Sequence, residues 1–67
     1  MSYVVLFADE IEDIKIIPRT KLKYDCLVGF FLPDGRFYAY VGYMENEASK
    51  ASADCSYLNG GAKPNDY

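Results

Sequence analysis

Residues 23–43 read KYDCLVGFFLPDGRFYAYVGY and carry the strongest structural signal in the chain. Two runs rich in aromatic and β-branched residues flank the sequence Pro33-Asp34-Gly35. Proline presets φ at the first central position of a type I turn, aspartate tolerates the second, and glycine takes the left-handed position that follows. The stretch therefore predicts a β-hairpin over residues 23–43 with a three-residue turn.

The length of the turn fixes the strand register, and the register decides which side chains share a face of the sheet. The predicted pairs are Leu32 with Arg36, Phe31 with Phe37, Phe30 with Tyr38, and Val28 with Tyr40. One predicted face carries Leu27, Gly29, Phe31, Phe37, Ala39, Val41 and Tyr43, and the other carries Tyr24, Cys26, Val28, Phe30, Tyr38, Tyr40 and Gly42. Both faces are apolar, whereas an antiparallel sheet commonly has one apolar face and one polar face in contact with solvent.

Two further strands are predicted before the hairpin. Residues 2–7, SYVVLF, are apolar and β-branched, and residues 14–17, IKII, form a shorter run that ends at Pro18 because proline cannot donate to a central ladder. The acidic stretch between them predicts an exposed turn. Ile11 and Ile14 could instead belong to one helical turn.

A helix is predicted after the hairpin, over residues 46–59. Apolar and small side chains recur there at steps of three and four residues, at Ala48, Ala51, Cys55 and Leu58. Asn46 is a good N-cap, and Gly60 suits the left-handed position past the helix end. The remaining residues 60–67 are predicted to form a loop tail.

The predicted fold is a single α+β mini-domain over residues 1–67. It has a small antiparallel sheet of three or four strands, with one C-terminal helix packed on one face. A chain of this size buries only about 60% of the surface that its unfolded form exposes, so a second chain or a ligand would add useful stability. One short helix can cover one face of such a sheet, and the other face is expected to stay open.

Composition narrows the classes of function. The chain has 67 residues, ten of them acidic and seven basic, and its net charge of −3 does not favour general attraction to nucleic acid or to an anionic membrane. Its 51% hydrophobic content is typical of an ordered globular protein. No apolar run approaches the length of a membrane span, and the N-terminal residues lack the pattern of a secretion signal. We expect a cytosolic protein with no membrane partner.

Catalytic residues are scarce. The chain contains no histidine, which removes the commonest general base and the usual zinc ligand. The two cysteines, Cys26 and Cys55, are too far apart for a CxxC motif and are predicted to be reduced, unbonded and on opposite sides of the sheet region. The glycines do not form a phosphate-binding loop. We expect no enzymatic activity, no cofactor and no metal site.

Charged residues are segregated along the chain. The acidic residues of the predicted turn are Asp9, Glu10, Glu12 and Asp13, and a group of basic residues follows at Lys15, Arg19, Lys21 and Lys23. The acidic run lacks the ligand spacing of a calcium loop. A solvated turn and an electrostatic contact with a basic partner both remain open for it, and the basic residues predict a positively charged strip beside the hairpin.

The octapeptide RFYAYVGY, residues 36–43, resembles the signature strand of the RNA-recognition motif family. Arg36, Tyr38, Ala39, Val41 and Tyr43 match the signature, Tyr40 is a conservative replacement, and Phe37 stands where the family has glycine. The resemblance implies that Tyr38 and Tyr40 stack on bases, while Phe37, Ala39, Val41 and Tyr43 point toward the helix. That family also has a helix between its first two strands and a strand after its second helix, and this chain has room for neither in full length.

The apolar face that the helix leaves open is the predicted functional site. It would expose Tyr24, Val28, Phe30, Tyr38 and Tyr40, and exposed apolar patches of this kind usually mark interaction surfaces. The predicted function is non-catalytic protein binding, of the type that a phage or mobile element uses to inhibit a larger host protein. Pairing of two copies through this face is also open, and binding of single-stranded RNA or DNA is the alternative from another class.

Overall fold

The computed structural model describes residues 2–61 and shows a four-stranded sheet with a C-terminal helix. The elements in chain order are β1 (Val4–Phe7), α1 (Ala8–Ile11), β2 (Ile16–Ile17), a 3₁₀ helix (Arg19–Lys23), β3 (Cys26–Phe31), β4 (Phe37–Tyr43), a second 3₁₀ helix (Glu45–Glu47) and α2 (Ala48–Leu58). The strand order is β1-β3-β4-β2. β1 and β4 each pair antiparallel with β3, whereas β2 runs parallel to β4. The predicted α+β class is confirmed, with β2 as the one parallel strand.

The hairpin turn has the predicted geometry. The Gly35 N–H donates to the Leu32 carbonyl at 3.0 Å, and the Leu32 N–H donates to the Arg36 carbonyl at 2.7 Å. Gly35 has a φ of 95°, in the left-handed region that glycine adopts without strain. The predicted pairs next to the turn, Phe31 with Phe37 and Phe30 with Tyr38, are confirmed.

A β-bulge changes the register four residues before the turn. Gly29 pairs with Ala39 but Val28 pairs with Val41, so Tyr40 is an extra residue in β4 and the predicted Val28–Tyr40 pair is wrong. A Cβ atom on Gly29 would collide with the carbonyl oxygen of Tyr38, so this close approach of the two strands requires glycine. The bulge brings Val41 to the same side of the sheet as Tyr40.

α2 packs on the face of the sheet that was predicted to stay open. Cys26 and Val28 of β3 are buried against Ala51 of α2, and Val41 packs against the same cluster. All four residues of the predicted helical stripe belong to this contact, so the stripe is confirmed, but the face it covers is the reverse of the expectation. We call this side of the sheet the helix face.

Residues 8–24 cover the other side, which we call the second face. Ile11 and Ile16 are buried there together with Leu27 and Phe37. The acidic side chains are exposed as predicted and residues 12–13 form a turn, while Ala8–Ile11 form a short helix, closer to the alternative of one helical turn, whose Ile11 packs into this core. The second apolar face is therefore largely covered by a segment of short elements, although Phe31 near the turn stays exposed.

The C-terminal end of α2 agrees with the prediction, but its N-terminal end does not. Asn46 does not cap the helix, because it lies inside the 3₁₀ helix that precedes Ala48. At the other end Gly60 has a φ of 98°, as predicted, and the Gly61 N–H donates to the Ser56 carbonyl at 2.8 Å. This is the Schellman arrangement of a helix C-terminus. Most of the predicted loop tail, residues 62–67, lies outside the described residues.

Candidate binding surface

Four aromatic rings form a continuous group on the helix face, which we call the aromatic cluster: Tyr3, Phe30, Tyr38 and Tyr40. The ring centroids of Phe30 and Tyr38 are 5.4 Å apart in a stacked arrangement. Tyr3 makes edge contacts with Phe30 at 5.6 Å and with Tyr40 at 6.2 Å. These offset and edge geometries are the ones that aromatic pairs prefer, so each ring helps to hold its neighbour.

The outer two rings of the cluster remain accessible beside α2. Tyr38 is 40% exposed and Tyr40 is 56% exposed, whereas Val28 in the same strand pair is completely buried. α2 thus covers part of the helix face and leaves the tyrosines of the aromatic cluster at its margin. The result is a small aromatic surface with two phenol groups.

Three features of the backbone fix the rings in place. The hairpin register pairs Phe30 with Tyr38, and Tyr40 lies two residues further along β4 on the same side, as the extra residue of the bulge. Tyr3 is held by the end of α2, because Asn59 both accepts from the Tyr3 N–H at 2.7 Å and donates to the Tyr3 carbonyl at 2.8 Å. The aromatic cluster therefore depends on both ends of the described chain.

The structure brings together only part of the predicted site. Phe30, Tyr38 and Tyr40 lie together as expected, but Val28 is buried under α2 and Tyr24 lies on the second face. Sequence reasoning missed Tyr3, although its place in the apolar run SYVVLF marked it as part of a strand. Its contact with Asn59 spans 56 positions of sequence, and no local pattern signals such a contact.

Two residues of the basic strip, Lys21 and Lys23, lie on the opposite side of the sheet from the aromatic cluster. The amino groups of Lys21 and Lys23 lie 5.9 Å and 5.3 Å from the ring centroid of Tyr24, which packs on the second face. Phe37 and Ala39 also face that side, so the orientation that the RNA-recognition motif resemblance implied for them is wrong. No strand follows α2 within residues 2–61.

The acidic run has a partly structural role. The Glu10 carboxylate accepts from the Phe7 N–H at 3.1 Å and so satisfies a backbone donor at the start of α1. Asp9, Glu12 and Asp13 are exposed. Their electrostatic contact with a basic partner stays a prediction.

Both cysteines are free, and both belong to the contact between α2 and the sheet. The expectation that they lie on opposite faces is wrong. Burial raises the pKa of the Cys26 thiol, with a smaller contribution from Asp25 and Glu45, and burial also raises the pKa of Cys55. Because the thiolate is the reactive form, the raised pKa lowers the reactivity of both thiols.

Residues 2–61 contain neither a cluster of metal-binding side chains nor a helix suited to a membrane. No group of three or more histidine, cysteine, aspartate or glutamate side chains there could hold a metal ion. None of the helices in this range is both long and apolar enough to cross a membrane. Comparison of the chain with protein-family models, curated proteins and solved structures gave no match.

Proposed function

We propose that this protein is a non-catalytic protein-binding module and that the aromatic cluster is its contact surface. The observation that carries the proposal is the exposure of Tyr38 and Tyr40 within a ring array that the backbone holds in place. Tyrosine is enriched among the residues that dominate binding energy, since its ring supplies apolar area and its hydroxyl tolerates the wet rim of an interface. The expected partner surface is apolar, with hydrogen-bond acceptors at its edge for the phenol groups.

Preorganisation supports the same proposal. The hairpin register and the hydrogen bonds between Asn59 and Tyr3 fix the rings before any partner arrives, so less side-chain entropy is lost on binding. A small chain of this kind acts by occupying a surface of a larger protein, as an inhibitor or an adaptor. We place it in the cytosol, and its two free thiols fit a reducing compartment. An origin in a phage or mobile element stays a prediction.

A protein partner is favoured over single-stranded nucleic acid. Proteins that bind single strands combine stacking rings with a positively charged groove along the backbone of the nucleic acid. Here the lysines next to Tyr24 are on the second face, away from Tyr38 and Tyr40, and the net charge is −3. The rings and the cations would not contact the same strand.

The test compares binding by matched variants. The partner is first isolated by affinity capture from an extract of the source cells, then purified, and its dissociation constant is measured by calorimetry. Tyr38→Ser and Tyr40→Ser should each weaken binding by about 30-fold, the effect of losing roughly 2 kcal/mol at a dominant contact. Phe31→Ser is the control, because Phe31 is 48% exposed but lies on the second face against Phe37. Equal losses in all three variants would overturn the proposal.

Two further measurements separate the alternatives. Sedimentation equilibrium of the protein alone would reveal a dimer. If Tyr40→Ser dissociates that dimer, the partner of the aromatic cluster is a second copy of the chain and not a different protein. Titration with single-stranded oligouridine at low and high salt tests the nucleic-acid alternative, which requires a steep loss of affinity with salt. Saturable binding with that dependence would contradict a protein partner.

A further inference from the structure

We propose a second docking surface, independent of the aromatic cluster, that receives an acidic and apolar peptide segment of a partner protein. The surface is a cleft at the β2 edge of the sheet, which we call the basic cleft. Its cations are Lys15, Arg19 and Arg36, and its apolar lining includes Ile16, Ile17 and Leu22. It goes beyond the proposed function because it uses different residues at a different place in the fold.

Tertiary structure assembles the three cations from separate segments. The Phe37 N–H donates to the Lys15 carbonyl at 2.8 Å, which places Lys15 beside the start of β4 and so beside Arg36. Arg19 begins the 3₁₀ helix that follows Pro18 and returns along this edge. None of the residues lining this cleft is acidic, within the part of the chain that the structure describes.

The apolar part of the basic cleft is aliphatic. Ile16 is buried in the core beneath it, Ile17 is half-buried, and Leu22 is 44% exposed in an otherwise polar 3₁₀ helix. An exposed leucine between two lysines gives a partner side chain an apolar contact. The cleft has no aromatic lining on which a nucleic-acid base could stack, so its chemistry suits a peptide better than a nucleotide.

Arg36 is paired within the chain but has more donors than this pair uses. Its Nε donates to the Asp34 carboxylate at 2.6 Å, which uses one of the five N–H donors of the guanidinium group. The cleft is positively charged although the net charge of the chain is −3. Acidic residues line a different cleft near the start of β3, at Asp9, Asp25 and Glu45. Charge complementarity therefore selects an occupant that brings carboxylates to the cations and an aliphatic side chain to Leu22.

The probe is a twelve-residue peptide containing glutamate, leucine and serine in equal numbers, titrated into the isotopically labelled full chain and followed by NMR. Chemical-shift changes should concentrate at Lys15, Arg19, Leu22 and Arg36. Peptides with glutamine in place of glutamate, or serine in place of leucine, should each bind at least about tenfold more weakly, since each removes one of the two complementary contacts. Shift changes confined to the aromatic cluster, or absence of saturable binding, would overturn the proposal.

Variants give an independent readout. Arg19→Glu and Leu22→Ser should weaken peptide binding at least about tenfold. Lys50→Glu makes the same charge change on α2 and should leave binding within about twofold, as expected for a charge outside the contact. Tyr40→Ser should bind the peptide normally. Peptide binding at the basic cleft is therefore tested independently of the proposed function of the aromatic cluster.

Two results would show that the basic cleft does not bind an acidic peptide segment of a partner protein. Equal weakening by Lys50→Glu and Arg19→Glu would show attraction to net charge and not to the basic cleft. Concentration-dependent association of the protein alone, abolished by Arg19→Glu, would show that the occupant is the acidic end of a second copy. Either result contradicts the proposal as stated.

Discussion

The side-chain amide of Asn59 bonds both backbone groups of Tyr3, accepting from its N–H at 2.7 Å and donating to its carbonyl at 2.8 Å. The amide thus provides the donor and acceptor that a neighbouring strand would provide, just before β1 begins. Glu10 bonds the N–H of Phe7 at the other end of β1. Side chains therefore occupy backbone groups at both ends of this edge strand, a way of discouraging edge-to-edge association.

Removing the Asn59 amide should destabilise the protein and loosen Tyr3. Asn59→Ala loses two hydrogen bonds to the backbone, and we expect the free energy of unfolding to fall by about 1–2 kcal/mol, measured by urea denaturation. Asn59→Asp keeps an acceptor but loses the donor to the Tyr3 carbonyl, so it should also destabilise. Asn46→Ala, a surface change in the second 3₁₀ helix, is the control. Similar stability of all three variants and the parent would contradict this role.

Gly35 in the turn and Gly29 in the bulge should respond differently to substitution. Gly35→Ala places a Cβ where no atom lies within 4 Å, so its cost is that of a positive φ, about 1 kcal/mol. Gly29→Ala forces a Cβ against the Tyr38 carbonyl and should cost more, because two strands must separate. Thermal melts rank the two variants, and a greater loss for Gly35→Ala would show that the bulge does not have this geometry.

Alanine substitutions should distinguish core from surface on the helix face. Val28→Ala should lower the free energy of unfolding by about 2 kcal/mol, because Val28 is completely buried under α2. Tyr40→Ala should cost much less, since Tyr40 is largely exposed. Chemical denaturation of both variants measures the difference. The reverse ranking would mean that α2 does not pack on this face.

The ion pair at the hairpin turn should contribute to stability only above strongly acidic pH. Hydrogen bonding from the Arg36 backbone N–H, assisted by its guanidinium group, lowers the pKa of Asp34 below its ordinary value of 3.8. A carboxyl group with a lowered pKa stabilises the folded state above its unfolded pKa, and the effect is lost as pH falls through the folded pKa. The difference in stability between the parent and Asp34→Asn should therefore shrink as pH falls from about 5 to 2. A difference independent of pH would exclude a charge effect.

The thiols should be present but slow to react in the folded protein. When the protein is unfolded without a reductant, two thiols per chain should react with a chromogenic disulfide reagent. In the folded protein at pH 8, labelling should be much slower, because burial raises the pKa of both thiols and restricts access. Cys26, in the buried core, should be the slower of the two. A single thiol or none in the unfolded chain would reveal a bonded cysteine.

Local sequence determined the parts of this protein that local physics controls. The turn at Pro33-Asp34-Gly35, the pairs beside it and the left-handed Gly60 depend on backbone preferences within a few residues, and all were predicted. The packing stripe of α2 was predicted for the same reason, because it follows from helical periodicity. Phe30, Tyr38 and Tyr40 were placed together because they lie close to the turn.

Only the tertiary structure decided which face α2 covers and what covers the other. A pattern with two apolar faces does not indicate which one a helix will take, and the burial of Ile11 among acidic residues depends on a core built from distant strands. The bulge at Gly29 appears only when the Tyr38 carbonyl approaches across the pair. Tyr3 joins the aromatic cluster through Asn59, 56 positions away. Such contacts depend on the packed chain as a whole, because their energies exist only once both partners are in place.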